Sequence, residues 1–436
     1  MVGVLFAALM LGYPVAFTLG GVAFFFGWYG FGLDFFNLLP LRIWGVMTNF
    51  TLLAVPLFVY MGVMLEKSGL AEDLLETMAL LFGRIRGGMA VSVVAVGALL
   101  AASTGIVGAT VVTMGLLALP SMLRRNYQPE LAVGVIASAG TLGQIIPPSI
   151  ILVLLGDIMN VPVGDLFLGA VIPGLSLVVL YILYILAVAG IKPAWAPAIP
   201  ADERAAVLGP ELLRRIAWGL VPPLVLMVAV LGSIFAGIAS PTESAAMGGI
   251  GATILAALNR RLTLAALADT VRTTTRLTSM IFIILVGASA FGLVFRGLAG
   301  DDLIREFLEM ELFAGHGALM VVMTVLFVLG FFLDFIEITF IVVPIMAPIL
   351  IDAGYDPVWL GIMIAMNLQT SFLTPPFGFS LFYLKGVAPP SITTGHLYRG
   401  IVPFVVIQLL ALGLLILWPE LALWLPNMAK ESMLGQ

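Results

Sequence analysis

Two short stretches of this chain match each other and both end in a Pro-Pro pair: Gln144-Ile145-Ile146-Pro147-Pro148 and Phe372-Leu373-Thr374-Pro375-Pro376. They lie 228 residues apart, and the same offset, applied without a gap, pairs Pro120 with Pro348 and Pro129 with Pro357. Proline accounts for only 26 of the 436 residues, so chance does not explain four coincidences in one frame. The sequence therefore predicts an internal duplication.

The composition places both copies in a membrane. Apolar residues make up 61% of the chain and charged residues 10%, which leaves too few polar side chains to cover a water-facing surface. We expect an all-α polytopic protein in the lipid bilayer, with about five transmembrane helices in each copy. The predicted spans are 2–12, 14–30, 50–66, 131–156, 166–190, 213–237, 241–258, 277–294, 358–385 and 397–418. The first is short, so we expect a partial helix or a chain that starts upstream.

Several classes of function are excluded by what the sequence lacks. Cysteine is absent, and only His316 and His396 could supply imidazole, so we expect no disulfide, cysteine nucleophile or transition-metal site. None of the four lysines follows a glycine, which excludes a Gly-Lys phosphate-binding loop and argues against ATP-driven pumping by this chain. A net charge of −5 gives no reason to expect nucleic acid as a partner. We expect neither an enzyme nor an organic cofactor.

The charges around the matched segments predict that the two copies are inverted in the membrane. Basic residues mark cytoplasmic loops, and those of the first copy include Lys67, Arg84, Arg86, Arg124 and Arg125. The matching places in the second copy are mainly acidic: Asp301, Asp302, Glu306, Glu309, Glu311, Asp352 and Asp356. Residues 1–190 and 213–436 then form inverted repeats with both termini outside. Residues 191–212, which contain Pro193, Pro197 and Pro200, form a cytoplasmic linker.

Each repeat is predicted to contain a re-entrant hairpin and a broken helix. Residues 89–119 are apolar between two basic flanks, so a hairpin that turns near Ser103–Gly105 keeps both flanks on one side. Its counterpart, 317–350, turns near Asp334. The broken helices are 131–156 and 358–385, with breaks at 140–149 and 367–378, where proline leaves backbone carbonyls free. Residues 68–86 and 296–311 are predicted to lie along the membrane surface, or to be ordinary loops.

Hairpin tips that meet broken helices near the midplane are typical of secondary-transporter sites. Carbonyl and hydroxyl oxygens suit sodium, so hydroxyl side chains at these places are candidate ligands: Ser103, Thr104, Thr141, Ser149, Thr339, Thr370, Ser371 and Thr374. Each hydroxyl could instead bond within its own helix, and each Pro-Pro pair could be a simple kink. A passive channel or a membrane-embedded enzyme is a weaker alternative.

Two carboxylates and an amide complete the candidate site. Asp334 and Glu337 share a helical face, and carboxylates inside a membrane usually mark an ion or substrate path. The alternative is that this tip reaches the outer interface. Asn367 contacts the substrate or forms an interhelical hydrogen bond. The predicted substrate contacts are Ser149, Glu337, Asn367 and Gly378.

Six stretches resemble the large membrane subunit, or DctM family, of tripartite ATP-independent periplasmic (TRAP) transporters. They are Gly12–Gly20, Ser68–Ala71, Gly140–Ser149, Ser240–Ala246, Phe332–Asp334 and Asn367–Gly378. They run in order through nearly the whole chain. The sequence around Gly87-Gly88 and Ala101–Thr110 looks similar to that of the mannitol/chloroaromatic branch of this family.

The resemblance implies an elevator-type sodium symporter in the bacterial inner membrane. Its implied partners are a small TRAP membrane subunit and a periplasmic solute-binding protein that delivers a small organic acid. The family's sodium sites carry over to the tips and breaks of both copies: Ser103, Thr104, Gly105, Thr141, Gly143, Pro147, Pro148, Asp334, Asn367, Thr370, Ser371, Thr374, Pro375 and Pro376. The main alternative is a stand-alone sodium/carboxylate symporter, which needs no binding protein.

Overall fold

The computed structural model describes residues 1–105, 107–200, 210–308, 310, 315–376 and 378–434, and helices are their only regular structure. The α-helices are α1 Val2–Met10, α2 Val15–Phe31, α3 Leu39–Met47, α4 Ala54–Lys67, α5 Leu70–Phe82, α6 Gly88–Thr104, α7 Val107–Arg124, α8 Pro129–Thr141, α9 Ile150–Met159, α10 Val163–Ile191, α11 Pro210–Phe235, α12 Pro241–Leu258, α13 Leu264–Gly297, α14 Gly300–Leu308, α15 Gly317–Leu329, α16 Phe335–Ile341, α17 Val343–Asp352, α18 Pro357–Leu373, α19 Phe379–Val387, α20 Thr394–Leu417 and α21 Glu420–Leu434. Short 3-10 helices lie at Leu33–Leu38, Thr51–Leu53, Leu142–Gln144 and Pro193–Trp195.

Long apolar helices give the chain the build of a multi-pass membrane protein. Among the described residues, five helices are long and apolar enough to cross a membrane, or seven if each of two bent pairs forms one span. The remaining predicted spans are either single helices that are shorter or less apolar, such as α1 with nine residues, or interrupted helices, such as α8 with α9. The all-helical, polytopic architecture predicted from composition is confirmed.

The helices of the two halves fall at matching positions. Adding 228 to the bounds of α7 gives 335–352, which are the bounds of α16 and α17 taken together. The same offset carries Pro129, the first residue of α8, onto Pro357, the first residue of α18. We call α6 with α7 hairpin 1, and α15 with α16 and α17 hairpin 2. The pairs α8 with α9 and α18 with α19 are broken helix 1 and broken helix 2.

Two predicted boundaries are wrong. The second arm of hairpin 1 continues to Arg124 instead of ending at 119, because basic residues at the end of a helix interact favourably with its dipole. The break in broken helix 2 begins at Thr374, so Asn367, Thr370 and Ser371 lie in regular helix. Proline disfavours helical geometry mainly in the residue before it, and residues several positions upstream of Pro375 remain helical.

The sequence also left two helices unassigned. No helix is predicted from the sequence between residues 31 and 49, yet this segment contains a 3-10 helix and α3. The other missed helix is α21, which contains Pro426 and packs on α10. Lys430 of α21 forms a 3.0 Å ion pair with Asp165 at the start of α10.

Contacts sort most helices into two groups. The frame helices, α1–α4 and α11–α13, pack mainly on one another, and so do the site helices, α6–α10 and α15–α21. The groups meet where α4 contacts α6 and α9, where α10 contacts α11 and where α13 contacts α16. The short helix α5 touches both α6 and α11, and α14 touches both α13 and α17, so each of them bridges the groups.

The described part of the linker is fixed to loops of the first half. The backbone N–H of Gly87 donates to the carbonyl of Ala196, and that of Gln128 donates to the carbonyl of Trp195, both at 2.9 Å. The N–H of Ile199 donates to the carbonyl of Gly83 at the same distance. These bonds bring the linker and the basic loops on either side of hairpin 1 to one face of the helix assembly.

Candidate functional site

A cavity of about 380 Å³ lies where the two hairpins face the frame helices. Gly108 of hairpin 1 and Asp334 of hairpin 2 both line it. Broken helix 2 contributes Phe372 and Tyr383 on either side of its break, and Met280 of α13 closes the frame side. The structure therefore brings both hairpins together beside a break, as the sequence predicted for Asp334.

The tip of hairpin 1 is a tight turn against broken helix 1. Gly105 has φ of +59°, a left-handed conformation that favours glycine. A Cβ atom at Gly105 would lie 3.1 Å from the side chain of Ile150, the first residue of α9. The side chains of Ser103 and Thr104 lie outside the described residues. Gly105, by contrast, lies at the tip of hairpin 1 and beside the break in broken helix 1, as predicted from the sequence.

At the tip of hairpin 2, two carboxylates cap α16. Asp334 accepts a 2.7 Å hydrogen bond from the N–H of Phe335, and Glu337 accepts one of 3.1 Å from the N–H of Asp334. This is the reciprocal arrangement of a capping box. Glu337, a predicted substrate contact, thus faces the backbone of its own turn and is not among the residues that line the cavity.

Both breaks are built around a Pro-Pro peptide bond in the cis form, Pro147-Pro148 and Pro375-Pro376. In the first break, the hydroxyl of Ser149 donates to the carbonyl of Gln144 at 2.7 Å. In the second, the hydroxyl of Tyr398 donates to the carbonyl of Pro376 at 2.8 Å. Gly378, with φ of +36°, precedes α19. One carbonyl at each break is therefore already satisfied by a hydroxyl.

Most candidate hydroxyls donate hydrogen bonds within their own helix. Thr141 donates to the carbonyl of Ser138 at 2.9 Å, and Thr374 donates to that of Thr370 at 2.8 Å. Thr370 and Ser371 donate to Met366 and Leu368 at 2.8 and 2.7 Å. A hydroxyl that donates keeps its lone pairs, so these bonds leave each oxygen able to accept or to ligate a cation.

Several buried polar atoms of the described residues lack such partners, and two of these residues belong to the predicted tips and breaks. The hydroxyl of Thr339 and both amide atoms of Gln144 have no hydrogen-bond partner, and both residues are fully buried. Gln369, which is also fully buried, lies within hydrogen-bond reach of Tyr181. Unsatisfied buried polar groups are uncommon, and an ion or ordered water is a usual explanation. Thr339 was predicted from the sequence. The two glutamines were missed, although Gln144 stands inside the Pro-Pro motif.

Asn367 joins two site helices rather than facing the cavity. Its side-chain amide donates to the carbonyl of Met323 in α15 at 2.8 Å, and Asn367 is buried. Of the two roles that the sequence left open for it, the structure shows the interhelical hydrogen bond. This bond holds the first arm of hairpin 2 against broken helix 2.

Contacts between the two halves assemble the site. The arm α7 packs on α19, while α16 and α17 pack on α9, so each hairpin lies against the second part of the other half's broken helix. At one such contact, a Cβ atom at Gly108 would lie 3.1 Å from the ring of Tyr383. Gly108, Tyr383 and Tyr398 had no signal in the sequence as site residues, because their neighbours are distant in the chain.

The chain matches the family model described as the tripartite ATP-independent periplasmic transporter, DctM component, over residues 2–421. The C4-dicarboxylate TRAP transporter large permease protein DctM of Pseudomonas aeruginosa is 32% identical to it over 398 residues, which cover 91% of each chain. The ectoine TRAP transporter large permease protein TeaC of Halomonas elongata is 28% identical, with coverage of 98% of this chain and 99% of that protein. The YdaH transporter of Alcanivorax borkumensis has a similar fold, with a TM-score of 0.61 at 15% identity and coverage of 91% of this chain and 89% of that one.

Proposed function

Because this chain belongs to the DctM family, and is therefore the large permease subunit of a TRAP transporter, we propose that it carries a small organic acid or related solute across the bacterial inner membrane together with sodium. It is a transporter subunit and not an enzyme. The observation that carries the proposal is the cavity beside Asp334, at which both hairpins and a broken helix meet. This is the construction that secondary transporters use for substrate and coupling ions.

The proposed membrane arrangement is a pair of inverted repeats, 1–190 and 213–436. Loops near Gly87 and Gln128 share one face with the linker. The matching loops of the second half lie elsewhere: Arg305 pairs with Asp352 at 2.6 Å, and both Arg305 and Asp157 line a second cavity. Because broken helix 1 runs from Pro129 to Met159, Asp157 lies at the end remote from Gln128. These contacts support opposite faces for matched loops.

The proposed motion is an elevator, in which the site helices move as a unit past the frame helices. Supporting this division, few side-chain hydrogen bonds join the two groups among the described residues. Thr113 of α7 donates to Glu66 of α4 at 2.9 Å, and Asn49 donates to Asp157 near the end of α9 at 2.5 Å. The remaining contact surfaces around the cavity are mainly apolar, as a sliding interface requires.

Sodium is proposed to bind at the two tips and breaks. The unpartnered hydroxyl of Thr339 and amide oxygen of Gln144 support this, since a cation would satisfy them. Asp334 would supply the negative charge. The proposed set comprises Ser103, Thr104, Gly105, Thr141, Gly143, Pro147, Pro148, Asp334, Asn367, Thr370, Ser371, Thr374, Pro375 and Pro376, together with Gln144 and Thr339, with Ser149 and Gly378 beside the solute.

Uptake into proteoliposomes tests the coupling. The proposed partners, a small TRAP membrane subunit and a periplasmic solute-binding protein, are reconstituted with this chain. We expect uptake to require an inward sodium gradient and the binding protein, with no ATP. Equal uptake with ATP alone would refute the sodium coupling. Equal uptake without the binding protein would instead indicate a stand-alone sodium/carboxylate symporter.

A further inference from the structure

The described lining of the cavity beside Asp334 contains a carboxylate but no cationic side chain that could pair with an acidic solute. Its polar side chains are Asp334 and Tyr383, and none of its described lining residues is lysine, arginine or histidine. Three aromatic rings, those of Phe335, Phe372 and Tyr383, form much of the wall. The rings of Phe335 and Phe372 have centroids 5.8 Å apart. The cavity therefore offers one negative charge inside an otherwise apolar enclosure.

A solute carboxylate cannot pair with a protein cation in this cavity. It would be repelled by Asp334 unless a sodium ion lay between the two carboxylates, which is the role that the proposed function gives to the coupling ion. One solute carboxylate can be compensated in this way. A second carboxylate on the same small solute would be buried against Met280 and the aromatic rings without a partner, and the burial of an unpaired charge is strongly unfavourable.

The volume of the cavity and the chemistry of its wall indicate what the part of the solute other than its carboxylate is like. A volume of about 380 Å³ lies at the lower end of the range for small-molecule pockets. The ring of Tyr383 packs closely on the backbone of Gly108, since a Cβ atom there would lie 3.1 Å from the ring. A planar or branched apolar body would stack against Tyr383 and Phe372 and lose its hydration, which favours binding.

We infer that the solute of this transporter is a monocarboxylate with an apolar body, of aryl or branched-alkyl type, rather than a dicarboxylate. The inference rests on the proposed function, because it takes this cavity as the solute site and sodium as the coupling ion. The carboxylate faces Asp334 through sodium, and the apolar body contacts Tyr383, Phe372 and Met280.

The test compares four probes on the purified chain in detergent: phenylacetate, succinate, glycine betaine and phenethylamine. Thermal unfolding is measured for each probe in sodium chloride and in choline chloride. We expect phenylacetate in sodium to raise Tm by roughly 2–3 °C at a hundredfold excess over its Kd. The other three probes should shift Tm by less, and choline should abolish the shift with phenylacetate.

A charge-insertion variant makes the test independent of loss of folding. Met280 is 40% exposed and lines the cavity, so Met280→Arg adds a cation to the wall without overpacking the core. Ile283→Arg is the matched control, since Ile283 is on the same helix, is 46% exposed and does not line the cavity. We expect Met280→Arg to raise succinate affinity relative to phenylacetate roughly tenfold, and Ile283→Arg to leave the ratio unchanged.

The outcomes separate the two proposals. A larger sodium-dependent shift with succinate overturns the assignment of a monocarboxylate and leaves sodium coupling intact. A larger sodium-dependent shift with glycine betaine, a monocarboxylate with a cationic body, overturns the assignment of an apolar body and also leaves sodium coupling intact. A larger shift with phenethylamine, the charge-reversed partner of phenylacetate, shows that Asp334 pairs directly with a cation and also overturns the inference. No sodium-dependent shift with any probe counts against both the inference and the proposed function.

Discussion

The hydroxyl of Ser380 donates a 3.0 Å hydrogen bond to the carbonyl of Ala137. Both residues are fully buried, and they belong to different halves, Ala137 to broken helix 1 and Ser380 to broken helix 2. The bond therefore joins the two interrupted helices directly, close to the breaks on which the site depends. A contact of this kind fixes the relative position of the two halves of the site.

Removing this hydrogen bond should lower the stability of the protein, because it joins two of the site helices. We expect Ser380→Ala to lower the free energy of unfolding by about 1 kcal/mol, the usual contribution of a buried hydrogen bond. The measurement is chemical or thermal unfolding in detergent. Thr324→Ala is the control, because the hydroxyl of Thr324 is exposed and donates only to Met320 of its own helix. Equal losses in both variants would show that the link between halves contributes nothing.

The close approach of α8 and α20 depends on a glycine. A Cβ atom at Gly400 would lie 2.2 Å from the carbonyl oxygen of Glu130, a backbone atom that cannot rotate away. We expect Gly400→Ala to destabilise the protein by about 1–3 kcal/mol through overpacking. On the same helix, Gly413 has no atom within 4 Å of its Cβ position, so Gly413→Ala should be neutral or slightly stabilising. A tolerated Gly400→Ala would contradict the described packing of α8 on α20.

Membrane sidedness can be tested by thiol labelling, since the chain contains no cysteine. Arg124 and Asp352 are matched positions in the two halves, and both side chains are exposed. We expect Arg124→Cys to react with an impermeant maleimide only from the cytoplasmic side and Asp352→Cys only from the periplasmic side. Labelling of both from one side would exclude inverted repeats.

The hydroxyl of Thr339 is predicted to contribute to sodium affinity. Because it has no hydrogen-bond partner, Thr339→Val removes no bond from the apo protein, and its stability should hardly change. We expect the sodium concentration for half-maximal uptake to rise roughly tenfold, which corresponds to about 1.4 kcal/mol. Thr275→Val, whose hydroxyl is exposed and bonds within its helix, should leave sodium dependence unchanged. An unaltered sodium curve for Thr339→Val would remove this residue from the site.

Features that depend on local sequence were predictable. Hydropathy predicted the membrane class, and the turn near Asp334 was predicted because residues 317–350 are the counterpart of the first hairpin. In the structure, Asp334 caps α16 at that turn. The position of the second break was wrong because Asn367, Thr370 and Ser371 were interpreted as break residues from their polarity. Their side chains donate hydrogen bonds to backbone carbonyls, so these polar groups are satisfied while the helix continues without a break.

Features that depend on tertiary contact were not predictable. Tyr383 lines the cavity because α19 packs on α7, and Gly108 is its neighbour only in three dimensions. Tyr398 reaches the carbonyl of Pro376 from a different helix. Tyrosines of this kind are frequent at membrane interfaces, so residue type alone did not mark them. The internal duplication did not help either, because Leu155 and Ala170 occupy the matching places in the first half.

The bonds of Ala196 and Ile199 to the loops of hairpin 1 tie the linker to the site helices, whereas α11, which starts at Pro210, belongs to the frame. The chain therefore passes between the two groups after Pro200, as it also does at α5 and α14. Ten residue steps reach at most about 35 Å when fully extended. Pro200 and Pro210 can therefore lie no farther apart than this in any arrangement of the frame helices and the site helices.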